Sequence, residues 1–296
     1  MHSHEHNHRH EDVKNIKTAF FLNLSFTFIE LAGGLLTNSM AILSDAVHDL
    51  GDSFSLGLSW YFQKVAKKPR TKEYTYGFKR FSLLGAIVNS IVLLVGSVVI
   101  LAHALPRLFN PQQPNVEGML LLAVLGLIMN GLAFFRLSKG SSLNERVVAL
   151  HLLEDVLGWL AVLIGAGIMY FVEAPVIDPI LSIAISLFIL FNVFRNMRES
   201  LRIILQGSPA KLDIEEVKKV LFEMEEVDSV HDLHTWSVDG EYNVLTIHVV
   251  LSKELTMEDQ QKLKNRIRTS LLLLDVHHST IEFELPDEEC VMEGCC

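Results

Sequence analysis

Apolar residues fall into six long blocks, at about 16–36, 39–63, 82–105, 116–138, 146–171 and 176–196, with short polar connections between them. A helix needs roughly 20 apolar residues to cross a bilayer. Each block has that length, so the pattern predicts six transmembrane helices. After Arg195 the apolar character stops.

The remaining chain changes period. "LDIEEVKKVLFEMEEV" has helical spacing with an acidic first turn. "SVHDLHTWSV" and "YNVLTIHVVL" read as strands around the turn "DGEY". "TMEDQQKLKNRIRTSLLLL" returns to helix, with Thr256 as its N-cap. "STIEFEL" closes as a strand, with Ile281, Phe283 and Leu285 on one face and Glu282 and Glu284 on the other. The order αββαβ predicts a small α+β domain, a sheet with its helices on one side. The fold expected is therefore an all-α six-helix membrane bundle followed by an αββαβ domain.

Block two interrupts its own pattern. In "SDAVHDLGDS", residues 44–53, Asp45, His48, Asp49 and Asp52 stand at i, i+3, i+4 and i+7, on one helical face. Ionisable residues inside a bilayer are costly and must face protein or water. Block five repeats the chemistry: in "HLLED", His151 and Asp155 have the same H-x-x-x-D spacing as His48 and Asp52. Two helices that each offer an imidazole and a carboxylate one turn apart can converge on a tetrahedral Zn²⁺ site. Two carboxylates would neutralise the ion. Structural Asp–His hydrogen bonding is the bland alternative. For Asp45, Asp49, Glu154 and Glu30, helix–helix polar contacts or solvated ends compete equally with a metal role. Asn23, Thr27 and Glu30 form a stripe in block one that could line a water-filled path or relay protons. Asp178 and Ser182 could do the same on the far side. His103, alone at the end of a block, reads as structural.

Charge divides the chain in the same place. Residues 207–296 hold 20 acidic and 8 basic residues, a net −12, while residues 1–206 carry +2. So acidic a tail is a poor nucleic-acid binder. Lys and Arg also orient the bundle. The N-terminal segment, the gaps after blocks two and four, and the segment after block six hold 16 of them, whereas the opposite side has Arg107 alone. The positive-inside rule then places both termini in the cytoplasm. The three cysteines, Cys290, Cys295 and Cys296, lie within the last seven residues and suit metal binding or a reducing compartment better than a disulfide framework. No signal peptide is apparent. The polar start, with His2, His4, His6, His8 and His10, reads as a disordered metal-capture arm. The expected domains are the arm (1–14), the membrane bundle (15–206) and the cytosolic domain (207–296).

No H-E-x-x-H motif and no activated nucleophile occur, which argues against an enzyme. Six spans, paired H-x-x-x-D, a His-rich start and a tail with "HDLHTW" together resemble the cation diffusion facilitator family, in its zinc branch of zinc/cadmium/cobalt-resistance exporters. The resemblance implies transport-site ligands at His48, Asp52, His151 and Asp155. It implies a homodimer exchanging cytosolic Zn²⁺ for protons by alternating access. It also implies a metallochaperone-like tail that binds further zinc at His231, His248 and Glu284, with His277, Cys290 and Cys295 as a second set. The family's C-x-x-C is replaced here by wider spacing. Chemistry runs the same way, because imidazole suits Zn²⁺, and each histidine must be neutral to bind metal and can take a proton when the metal leaves. Export of Co²⁺, Cd²⁺ or Fe²⁺ by the same fold, or a metal-gated channel, are the competing readings. Short loops favour a bacterial inner membrane; a eukaryotic vesicle membrane would give the same topology.

Overall fold

The structure, a computed structural model, describes residues 21, 24–138, 143–286 and 288. The His-rich arm, Asn23 and the three cysteines lie outside the described residues. The chain divides into two compact units, residues 1–60 with 85–196, and residues 61–84 with 197–296.

The first unit is helical. It contains α1 (Leu24–Thr37), together with most of α2 (Met40–Ala66), α3 (Phe81–Phe109), α4 (Val116–Leu137), α5 (Leu143–Phe171) and α6 (Ile177–Ile204). Helices α3 to α6 are each long and apolar enough to cross a membrane. Helix α2 has the length, but it carries Asp45, Asp49, Asp52 and Lys64. Several helices outrun their apolar blocks. Helix α6 continues past residue 196 through Arg198 and Arg202, where arginine sustains a helix that hydropathy no longer marks.

Specific contacts fix the site-bearing helices. Trp159 of α5 is fully buried against Phe26 of α1, with ring centroids 5.7 Å apart. It also lies on Gly126 of α4, where any Cβ would collide with the indole. The turn between α1 and α2 uses Asn38 at φ 55. Arg107 closes that turn, donating to the Asn38 carbonyl at 2.9 Å and to its Oδ1 at 2.8 Å.

The N-terminus of α2 is capped from another helix. Asp178 of α6 accepts from the Ser39 hydroxyl (2.6 Å) and from the backbone N–H of Met40 (2.8 Å) and Ala41 (3.2 Å). The carboxylate satisfies donors that a helix start leaves orphaned. Ser44 and Ser182 extend the link, with hydroxyls 2.7 Å apart. The expected path-lining role of Asp178 and Ser182 is thus corrected: both are engaged in joining α6 to α2. His103 donates from Nδ1 to the Val99 carbonyl at 2.8 Å, a structural role as expected.

The second unit contains α7 (Ile214–Phe222), β1 (Val227–Ser237), β2 (Asn243–Leu251), α8 (Met257–Leu273) and β3 (Val276–Glu284), the expected αββαβ order. The sheet order is β1-β2-β3, with β1 antiparallel and β3 parallel to β2. Asp213 caps α7, and Thr256 caps α8 as its sequence suggested. Val217, Leu221, Leu263, Ile267 and Leu271 from the helices meet Leu245, Ile247, Val249 and Ile281 from the strands in one core. The alternation predicted for the last strand fails at its end. Leu285 is exposed, beyond the ladder, whereas Glu284 is buried beside two histidines.

Candidate metal centres

On α2 and α5, the i, i+4 spacing brings each histidine beside its own aspartate, and the helices bring the pairs together. Asp52 Oδ2 lies 3.6 Å from His48 Nε2 and 3.1 Å from His151 Nε2. His151 Nε2 is 3.9 Å from Asp155 Oδ2. The imidazoles meet edge-on, 5.9 Å between centroids. His48, His151 and Asp155 each offer a ligand atom within 4.8 Å of the other two. A tetrahedron with 2.0–2.1 Å bonds has ligand atoms roughly 3.3 Å apart, so this set needs only small side-chain adjustments to close on one ion.

The cluster is not satisfied from within. Both Asp155 oxygens and His48 Nδ1 are buried without a hydrogen-bond partner among the described residues, and Asp52 Oδ2 has the His151 ring at 3.1 Å. Further along the α2 stripe, Asp45 and Asp49 are buried as well, and α1 adds Glu30, fully enclosed. Among the described residues Asp45 Oδ2 also lacks a donor, and the Glu30 and Asp49 carboxyl groups face each other within hydrogen-bond reach. Gly158 of α5 leaves room here; a Cβ on it would stand 3.4 Å from Asp45 Oδ1. Buried carboxylates without partners cost several kcal/mol each, so a concentration of them requires protons or metal cations.

The tail gathers a second set. His231 on β1 pairs in register with His248 on β2, and β3 supplies Glu284. Glu284 Oε1 is 2.6 Å from His248 Nδ1, and its Oε2 is 3.1 Å from His231 Nε2. The three offer ligand atoms within 4.8 Å of one another, a donor set that fits Zn²⁺. His277 does not join them. It sits at the opposite end of β3, seven residues and roughly 20 Å from Glu284, stacked on Tyr242 at 5.3 Å. Its expected co-ligands, Cys290 and Cys295, fall outside the described residues. Asp232 was missed. It lies 2.8 Å from His234 Nε2 and 3.5 Å from His248 Nε2. The only sequence signal was its place between the two histidines of "HDLH".

Comparison with known proteins identifies the family. Residues 16–205 match the cation efflux transmembrane domain, and residues 209–285 match the cytoplasmic domain of cation efflux proteins. The zinc transporter ZitB of Escherichia coli is 36% identical over 290 residues, covering 96% of this chain and 91% of that protein. The metal cation efflux system protein CzcD of Cupriavidus metallidurans is 35% identical, covering 95% and 90%. A cadmium, cobalt and zinc/H(+)-K(+) antiporter of Bacillus velezensis is 32% identical, covering 94% and 91%. The apolar helices, the family matches and these relatives mark an integral membrane metal transporter, not an enzyme. The chain belongs to the cation diffusion facilitator (cation efflux) family, in its zinc, cadmium and cobalt branch.

Proposed function

We propose that this efflux protein exports cytosolic Zn²⁺ in exchange for protons, through a tetrahedral site made by His48, Asp52, His151 and Asp155. The observation that carries the reading is Asp52 Oδ2 standing within 3.6 Å of both histidine Nε2 atoms, which joins the two helices at one point. Two imidazoles with two carboxylates favour Zn²⁺ over Mn²⁺ or Mg²⁺. Neutral histidines bind the ion from the cytosol. The bundle changes access, and protons from the other side occupy imidazole and carboxylate as the ion leaves. The buried acids Glu30, Asp45 and Asp49 lie alongside and hold protons or cations of their own. Both termini face the cytoplasm, following the lopsided Lys and Arg distribution, in a bacterial inner membrane. The tail pairs two copies into a homodimer and binds zinc at His231, His248 and Glu284.

Zinc flux into proteoliposomes, with and without an imposed pH gradient, tests the reading in wild type and Asp52→Ala. Gradient-dependent flux that vanishes in the variant is expected. Flux indifferent to the gradient would mean a channel. Flux of Co²⁺, Cd²⁺ or Fe²⁺ without Zn²⁺ would keep the site and change the cargo. Undiminished flux in Asp52→Ala would place the site elsewhere.

A further inference from the structure

The tail cluster contains a residue that neither the strand pattern nor the triad of ligands accounts for. Between the pairs His231↔His248 and His234↔Thr246, β1 advances three residues against two on β2. This is a bulge, and Asp232 sits in it at φ 45. Such a conformation is disfavoured for residues with a Cβ, less so for aspartate. In an unbroken strand Asp232 would face away from His231. The bulge instead turns its carboxylate toward the histidines.

That carboxylate is fixed at one end and available at the other. Its Oδ1 accepts from His234 Nε2 at 2.8 Å, while its Oδ2 stands 3.5 Å from His248 Nε2. His248 therefore has a carboxylate at each ring nitrogen, since its Nδ1 donates to Glu284 at 2.6 Å. Binding a metal at Nδ1 displaces that proton. The ring must then carry its hydrogen on Nε2, which needs an acceptor. A carboxylate behind a ligating imidazole fixes the tautomer and the ring orientation. Glu282 Oε2 is also 3.5 Å from Nε2, but Glu282 is 61% exposed against 18% for Asp232 and has no comparable anchor.

We propose that Asp232, held by the β1 bulge and by His234, is the positioning carboxylate that orients His248 for metal binding at the tail site. The inference rests on His231, His248 and Glu284 being metal ligands, as read above.

Equilibrium metal binding by the full chain tests it. Asp52→Ala with Asp155→Ala serves as the background, removing ligands proposed in the bundle. Zn²⁺ affinity is read by competition with a chelating dye, and the ligand field is read from the visible bands of bound Co²⁺. Asp232→Gly is the informative variant, because glycine accepts positive φ and keeps the bulge. It should weaken tail Zn²⁺ affinity roughly tenfold to a hundredfold. The number of bound ions and the Co²⁺ bands should stay unchanged, and the metal-free protein should melt no lower than its parent. Asp232→Asn keeps an acceptor without its charge and should fall between; it decides the matter if the glycine variant does not fold. His231→Ala should abolish tail binding. Wild-type affinity in both Asp232 variants, with binding lost in His231→Ala, would overturn the positioning role and leave the tail site standing. Altered Co²⁺ bands or fewer ions in Asp232→Gly would make Asp232 a ligand and equally overturn it. Unchanged binding in His231→Ala would instead overturn the tail-site reading itself.

Discussion

The helical bundle and the tail each gather two histidines with carboxylates, and they mount those groups on different scaffolds. In the tail the ligands sit on three hydrogen-bonded strands. Glu284 takes the His248 Nδ1–H at 2.6 Å and Asp232 holds His234, while among the described residues His231 Nε2 has no hydrogen-bond partner. In the bundle the four side chains come from two helices, and among the described residues neither Asp155 oxygen has a donor. A cluster carried on hydrogen-bonded strands is built to keep one geometry. An unsatisfied cluster on separate helices gains from any cation that arrives, and it changes shape when the helices move. The proposed tail site is thus suited to retention of an ion, and the proposed bundle site to its passage.

The largest test of that contrast lies in the bundle. Asp52→Ala or Asp155→Ala removes one partner from a buried charged set, a change worth about 3–5 kcal/mol. Zinc flux in proteoliposomes should drop a hundredfold or more in either variant, with tail zinc still bound in equilibrium dialysis. Flux within severalfold of wild type would erase the distinction between the two clusters.

How much of this was legible beforehand follows from the range of each interaction. The α2 stripe was readable because i, i+3, i+4 and i+7 is a local rule, and "HLLED" repeats it. The αββαβ order was readable because period and turn residues change at each boundary. The cap that Asp178 places on α2 was not, because it joins residues about 140 positions apart and leaves no local pattern. Nor was the Asp232 bulge, since one extra residue shifts a strand's facing without altering its composition. Leu285 shows the same limit: alternation continues in the sequence after the ladder has ended.

The tail provides the converse experiment. His248→Ala should remove the zinc retained by the tail, lowering its affinity at least tenfold, while initial zinc flux through the bundle stays within severalfold. An equal collapse of flux would mean that the two clusters act as one pathway rather than as a retaining site and a passing site.

Asp178→Ala probes how the bundle holds its site-bearing helix. Loss of a helix cap costs about 0.5–2 kcal/mol, so thermal unfolding of the full chain should show a lowered midpoint for the bundle. Tail zinc affinity should not change, because the Asp178 contacts are to Ser39 and the first turn of α2. A shift in tail affinity would show that the cap also governs the tail.

The smallest effect comes from the tail's surface. Arg266 of α8 donates to Glu226 at 2.8 Å, just ahead of β1, and this bond holds the Glu226 carboxyl below its ordinary range. A depressed carboxyl stabilises the fold above the unfolded pKa of about 4.3. That contribution fades as pH falls toward the lower folded value. The pair is solvent-exposed, so it is worth less than about 1 kcal/mol. Glu226→Gln should therefore melt slightly below wild type near neutral pH, and the two midpoints should converge once the medium is acid enough to protonate Glu226. A gap that widened in acid would have the wrong sign for this pair. A gap as large as that of Asp178→Ala would show that the tail, like the bundle, depends on a single contact of buried strength, which its extended apolar core argues against.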